Sequence, residues 1–267
     1  MRSVKLSVVY VGPLVIAALL AGCASSSADR TASMSPNDIY AEAKEEMAAG
    51  QFDKAIAMLD KLEARAAGTP LAQQAQLDKA YTQYKTAEPA QALATLERFM
   101  KLHPASPALD YALYLKGTVN FNDDLGLFSR ITLQDLSERD QKAAKESFEA
   151  FKELVTRFPD SRYAPDARLR MNYIVNSLAQ YEVHVARYYY RRGAYLAAVN
   201  RAQITVTDYR DVPAIEEALF ILYKSYDALG MTQLRDDARR VLEQNYPHSE
   251  FLTHGARLST SPWWKVW

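Results

Sequence analysis

Three proline junctions of one pattern divide this chain: "LHPASP" at 102–107, "RFPDSR" at 157–162 and "NYPHSE" at 245–250. Each has an aromatic or histidine, then proline, then any residue, then serine. Proline pushes the residue before it out of the α region, so each junction ends a helix. The serine offers a side-chain oxygen that predicts a cap for the next helix. "AGTP" at 67–70 and "DYRDVP" at 208–213 are weaker junctions of the same kind. Between these stops lies a second punctuation: "AAGQFDKAI" at 48–56, "RRGAYLAAV" at 191–199 and "ALGMTQL" at 228–234. There, glycine closes one helix and the next starts within a few residues. From Asn37 onward apolar residues recur at three and four, with almost no alternating stretch. Helix, short glycine turn, helix, proline stop: a chain so written is restricted to stacked helical hairpins.

The spacing of small residues resembles the tetratricopeptide repeat, a helical hairpin of about 34 residues. Ala43, Gly50, Phe52, Ala55 and Leu59 fit one unit, and Ala80, Ala92, Leu96, Phe99 and Pro104 fit a second. Gly117, Phe151, Leu154 and Pro159 fit a third, interrupted by Asn120 to Asp140. Ala186, Gly193, Tyr195 and Ala198 fit a fourth, preceded by an extra long helix at 162–180. Tyr223, Tyr226, Gly230 and Pro247 fit a fifth, with Arg235 where alanine is usual. The fold expected is an all-α solenoid of about five such hairpins. Stacking buries a continuous core that no single hairpin could make alone.

Tyrosine is abundant, 17 against nine phenylalanines. In tetratricopeptide arrays the first helix of each hairpin lines the concave face. That resemblance places Tyr40, Tyr81, Tyr84, Tyr111 and Tyr114 there. Tyr111 and Tyr114 are three apart and so neighbours on one helix face. A tyrosine joins a large apolar ring to a polar tip, which suits a wet groove that grips peptides. The same rings would serve equally well to seal one hairpin against the next.

The head of the chain has another composition. Arg2 and Lys5 precede an apolar run, Leu6 to Ala21, interrupted by Ser7, Tyr10 and Gly12-Pro13. This is the layout of a secretory signal, and it falls short of the roughly 20 uninterrupted apolar residues of a membrane span. Leu20-Ala21-Gly22-Cys23 resembles a bacterial lipobox, in which the cysteine sulfur takes a diacylglycerol and the signal at 1–22 is removed. Cys23 is the only cysteine of the chain. The other reading is a small buried cysteine after an ordinary signal. Acyl chains such as palmitate on Cys23 and on its amine would exceed the two-signal threshold for stable anchoring. A tether at 23–36 follows; its residues 24–35 hold five serines and three alanines and no apolar period. Twelve such residues span about 20 Å root-mean-square. A tether of that length keeps the folded part close to the membrane without burying it.

Without residues 1–22, which hold two basic and no acidic residues, the charge is 30 minus 32, or −2. That balance argues against general nucleic-acid binding, which needs a basic face. No cysteine is left for a disulfide. No His-Glu-x-x-His helix, Gly-x-Ser-x-Gly elbow or phosphate-cradling glycine loop occurs. His103 and His248 flank junction prolines, and His184 and His254 have no ligand partner at metal spacing. Neither an enzyme nor a bound cofactor or metal is expected. One basic cluster stands out: Arg187, Arg191, Arg192 and Arg201, around "ARYYYRRGAYLAAVNR". Arginine suits bidentate carboxylate pairing at an interface, and a solvated face balanced by acids is the competing account.

Several stretches together resemble the BamD (ComL) family, lipoprotein subunits of the outer-membrane β-barrel assembly (BAM) machinery. They are the lipobox with Cys23, "IYAEAKEEMAAGQFDKAI", "QLDKAYTQYK", "LERFMKLHPASPALDYALYLKG", "ERD" at 138–140, "ELVTRFPDSRYAPDAR", "VARYYYRRGAYLAAVNRAQ" and the tail "SPWWKVW". The resemblance implies a non-enzymatic scaffold, on the periplasmic face of the cell outer membrane, that assists insertion of β-barrel proteins. It implies N-terminal repeats, 37–128, that receive the C-terminal signals of unfolded outer-membrane proteins. It implies C-terminal repeats, 129–252, that dock on the periplasmic domains of the Omp85-type barrel subunit, BamA, with Arg201 in the docking region. Other lipoproteins of the machinery are further implied partners. The junction "RAAGTP" departs from the family pattern, and the aromatic tail at 253–267, with Trp263 and Trp264, is not in every member. A lipoprotein adaptor for cell-wall or polysaccharide machinery is the alternative. A peptidoglycan-turnover enzyme is a third class, and it would need a catalytic dyad that the sequence lacks.

Overall fold

The computed structural model describes residues 30–121 and 141–254. The signal, Cys23 and the tether through Asp29, the insertion after Phe121 and the tryptophan-bearing tail lie outside these residues. The rest of the expected tether, 30–36, is a correction, because it folds as a turn with Thr31 buried and Ser35 capping the first helix.

Among the described residues every regular element is helical. A short 3-10 turn, Arg30–Ser33, leads into α1 (Pro36–Ala48), α2 (Phe52–Arg65), α3 (Pro70–Lys85), α4 (Pro89–Leu102) and α5 (Leu109–Asn120). Then come α6 (Gln141–Arg157), α7 (Ala164–Arg191), α8 (Tyr195–Asp208), α9 (Ala214–Ala228), α10 (Thr232–Asn245) and the short α11 (Glu250–His254). The tetratricopeptide-like hairpins expected from the breakers are present.

The glycine turns share one geometry. Gly50, Gly193 and Gly230 have φ of 73°, 76° and 70°. After α1, the Gly50 N–H donates to Met47 and the Gln51 N–H to Glu46. The same two bonds recur at Gly193–Ala194 and at Gly230–Met231. This is the Schellman closure, which needs a left-handed residue just past the helix. Between α3 and α4 the left-handed residue is Ala87, at φ 59°, with the same two bonds. No glycine marks that turn, so the sequence does not flag it.

Two of the junction serines, Ser106 and Ser161, behave otherwise than expected. The residues that cap α5 and α7 are Ala108 and Tyr163, without side-chain bonds. Ser106 and Ser161 stand two residues earlier and accept the N–H of Ala108 and of Tyr163. They shape the turn and leave the cap position to others. Ser35 is a true cap: its hydroxyl and Asp38 form a capping box ahead of α1.

The small repeat positions do what the spacing requires. Ala43, Ala55, Ala80, Ala92, Ala186 and Ala198 are all fully buried. Gly117 is buried against Phe151, and its carbonyl accepts the Ser147 hydroxyl at 2.8 Å, so α5 and α6 approach closely. The expected helix at 162–180 is a correction: α7 runs unbroken for 28 residues, about 42 Å. Neither proline nor glycine occurs between Pro165 and Gly193, so nothing stops it.

The chain divides into two compact units, the first through Ala75 and the second from Gln76. In the first, Ile39, Ala43, Leu59, Leu62, Ala72 and Ala75 form the core. Arg65 ties the opening turn to α2 by donating to the carbonyls of Thr31 and Met34. In the second, successive cores join α3–α5 around Leu77, Leu96 and Phe99, α5–α7 around Leu113, Phe151 and Leu154, and α7–α9 around Val183, Val199 and Ile221.

Candidate functional site

Helix α5 presents Tyr111 and Tyr114 on one face, and α7 answers with Tyr163, its capping residue. The Tyr114 and Tyr163 rings stack at 4.7 Å with planes 20° apart. Tyr111 lies 5.5 Å from Tyr163, tilted by 41°. The Tyr114 hydroxyl donates to Asp166 Oδ2 at 2.8 Å, and Arg170 Nε donates to the same oxygen at 2.7 Å. The Arg162 guanidinium lies 4.7 Å over the Tyr163 ring, with Nη2 2.6 Å from its hydroxyl. Ser161 Oγ donates to Asp110 Oδ2 at 2.7 Å, a second tie between the same two hairpins.

The electrostatics follow from this enclosure. Burial, then the Asp78 carboxylate and the Tyr163 and Tyr81 phenols, push Tyr111 up to about 12, with Arg162 acting in the opposite direction. Burial and the bond to Asp166 also raise Tyr114. Burial pushes Asp166 up, but the bonds from Arg170 and Tyr114 and the Arg170 charge outweigh it and hold the carboxyl below its usual range. The seam therefore keeps neutral phenols beside an ionised carboxylate.

Of the five tyrosines read from the sequence, Tyr81, Tyr84, Tyr111 and Tyr114 belong to the second unit. Tyr81 is exposed, and its neighbour is Tyr111. Tyr84 and Tyr111 are half-buried against the Leu77–Phe99 core, and Tyr114 against Phe151. Tyr40 belongs to the first unit, half-buried against its core. Packing takes part of each of these rings, and each half-buried ring leaves only the rest of its surface to solvent. Tyr163, Asp166 and Arg162 escaped the sequence reading. Register would have found them. Asp166 stands seven residues after Pro159, as Tyr111 stands seven after Pro104.

The four arginines do not form one surface. Arg187 clamps Glu217 on α9 through Nε and Nη2, at 2.6 and 2.7 Å. Arg201 on α8 reaches Glu182 on α7 at 3.1 Å, and Glu182 is only 6% exposed. These two hold helices together. Arg191 and Arg192 are exposed where α7 turns into α8. Arg192 lies 5.4 Å over the Tyr188 ring. Among the described residues no histidine, cysteine or carboxylate group has the arrangement of a metal site. None of the described helices is long and apolar enough to cross a membrane.

Comparison with known proteins gives the following likenesses. The family described as YfiO, outer membrane lipoprotein, matches over residues 32–242. An outer membrane protein assembly factor BamD from Neisseria meningitidis serogroup A is 45% identical over 267 residues, the full length of both chains. The BamD of Vibrio cholerae is 35% identical over 232 residues, 87% of this chain and 96% of that one. Among solved structures, a Podosopora anserina putative kinesin light chain with nearly identical TPR-like repeats aligns at 15% identity and a TM-score of 0.35, covering 80% of this chain and 99% of that one.

Proposed function

The chain belongs to the BamD (YfiO) family of outer membrane lipoproteins, and from that premise we propose that it is a scaffold for inserting β-barrel proteins into the outer membrane, acting without catalysis. Cys23 carries the lipid that holds it to the periplasmic face. The tyrosine face of the repeats receives an extended segment of an unfolded barrel protein. The C-terminal repeats dock on the periplasmic domains of the BamA barrel subunit, with other lipoproteins of the machinery beside it. Arg191 and Arg192 are the arginines free to meet that partner. Arg187 and Arg201 keep the docking helices in register through Glu217 and Glu182.

One observation supports the reading above the rest: the end-to-end 45% identity to a protein named as an outer membrane protein assembly factor. Depletion of the protein followed by outer-membrane proteome analysis tests it. Loss of β-barrel proteins, with inner-membrane proteins unchanged, is the expected result. Intact barrel levels with a cell-wall defect would favour an adaptor of wall synthesis instead.

A further inference from the structure

The tyrosine face does not stop at the five rings read from the sequence. Leu169 stands ten residues after Pro159, as Tyr114 stands ten after Pro104. It therefore occupies on α7 the repeat position that Tyr114 occupies on α5. Tyr114 is covered by the following hairpin, through Tyr163 and Asp166. Leu169 is 69% exposed. One turn on, Tyr173 is 44% exposed and meets Phe121 edge-on at 5.6 Å. The two side chains make a short apolar stripe on α7.

Just before the cap of the same helix lies Arg162. Its guanidinium rests on Tyr163 and is exposed, with no carboxylate partner among the described residues. A guanidinium without an acidic partner, held beside a ring, is pre-set for one ligand, a carboxylate taken by two N–H groups. The intervals fit an extended chain. Leu169 and Tyr173 are about 6 Å apart along the helix, close to the ~6.6 Å between same-face side chains of a strand. Arg162 to Tyr173 is about 16 Å, the length of roughly five extended residues.

We infer that Arg162 is the residue that reads the terminal carboxylate of a bound peptide, and that Leu169 and Tyr173 receive apolar side chains further along it. The inference rests on the peptide-receptor reading given above and names the chemistry of its ligand. The occupant is an extended chain end with apolar side chains on alternate residues and a free carboxyl group. The carboxylate pairs with Arg162, the last aromatic side chain lies against Tyr111 and Tyr163, and earlier residues follow α7 toward Tyr173.

The test uses the purified full-length protein in detergent and a fluorescent ten-residue peptide. The peptide alternates apolar and hydroxyl residues, ends in phenylalanine, and is made as free acid and as amide. Fluorescence anisotropy should show the acid binding at least tenfold more tightly than the amide. Arg162→Ala and Arg162→Gln should bind both forms alike, at the amide's affinity. Leu169→Ser with Tyr173→Ser should weaken both forms fivefold or more while keeping their ratio. A ratio near one in the unaltered protein, or a ratio that survives Arg162→Ala, overturns the role of Arg162. Unchanged binding by the serine pair overturns the stripe. Equal binding of acid and amide that Tyr111→Ala still weakens leaves the receptor reading standing and sinks this inference alone. Failure of the unaltered protein to bind either form sinks both. Thermal melts accompany each variant, and the exposed Arg162, whose direct contact is to the ring and hydroxyl of Tyr163, should leave the melt unchanged when replaced.

Discussion

The Cβ that Gly117 lacks would lie 2.5 Å from Cε1 of Phe151. No real contact is that short, and Phe151 is fully buried, so the ring has nowhere to retreat. Gly117 sits inside α5 with ordinary helical backbone; it is required for space and not for φ. Gly117→Ala therefore sets two effects against each other. Overpacking typically costs 1–3 kcal/mol, and alanine regains up to about 1 kcal/mol of helix propensity. A net loss of about 1 kcal/mol is expected by chemical denaturation. The double variant Gly117→Ala, Phe151→Leu should lose less than the sum of its parts. Additive losses would show that the ring is not what the methyl meets.

Ala87 supplies the opposite case. It holds φ 59° at a Schellman turn where three sister turns use glycine. An L-residue in that conformation costs roughly 1–2 kcal/mol, and glycine would return about 0.4–1 kcal/mol of that through a freer unfolded chain. Ala87→Gly should raise stability by about 0.5–1 kcal/mol. Gly50→Ala, at a turn with open space around the missing Cβ, should lower it by a similar amount. A melting temperature unmoved by both changes would mean that these turns are not strained at all.

The Arg201–Glu182 pair makes a third prediction, at the end proposed for docking. Glu182 is 6% exposed, so Arg201→Ala leaves a buried carboxylate without its partner, at a cost of about 1–3 kcal/mol. Adding Glu182→Gln should recover part of the loss, because a neutral amide is cheaper to bury. Any fall in partner binding by Arg201→Ala must be judged against that lost stability. Arg191→Glu, on an exposed residue, should leave the melt in place and reduce partner capture alone. Full capture by Arg191→Glu would return that residue to the solvated surface.

How much of this was legible in the sequence depends on the range of each cause. Breakers act within a few residues, so Gly50, Gly193 and Gly230 and the three proline junctions mark their turns without help. Small residues at hairpin seams are nearly as local, and the buried alanines fell where the spacing put them. Ala87 was not legible, because no residue type advertises a left-handed alanine. The fusion that makes α7 one helix was readable in principle from the absence of glycine and proline between Pro165 and Gly193, but the repeat pattern suggested a break. Partnership across the stack was not legible. That Tyr114 meets Asp166, 52 positions away, or Arg187 meets Glu217, 30 away, depends on how whole hairpins pack. Composition named the tyrosines and arginines; only the fold separates those that bind within the chain from those that face outward.

Titration of Tyr111 gives the last prediction. Its phenol is pushed up to about 12 in the folded protein, chiefly by burial, from an ordinary 10.0. A folded-state value above the unfolded one means the fold favours the protonated phenol. The contribution is therefore complete below about pH 10 and lost as pH climbs toward about 12. Other tyrosines move the same way, Tyr114, Tyr190, Tyr209, Tyr226 and Tyr246 among them, so the measurement must be a difference. Thermal melts of the unaltered protein and of Tyr111→Phe should run parallel from neutral pH to about 10 and then diverge, the variant falling less steeply. Asp166 acts at the other end of the scale. Its depressed carboxyl stabilises the fold above the ordinary carboxylate range, and that contribution fades as pH falls through its folded value. Tyr114→Phe removes one of the two hydrogen bonds that depress it, so the variant should be less stable at neutral pH and converge on the parent in acid. Parallel curves across both limbs would show that the α5–α7 seam is open to water, and that its rings do not enclose the charges as the structure has them.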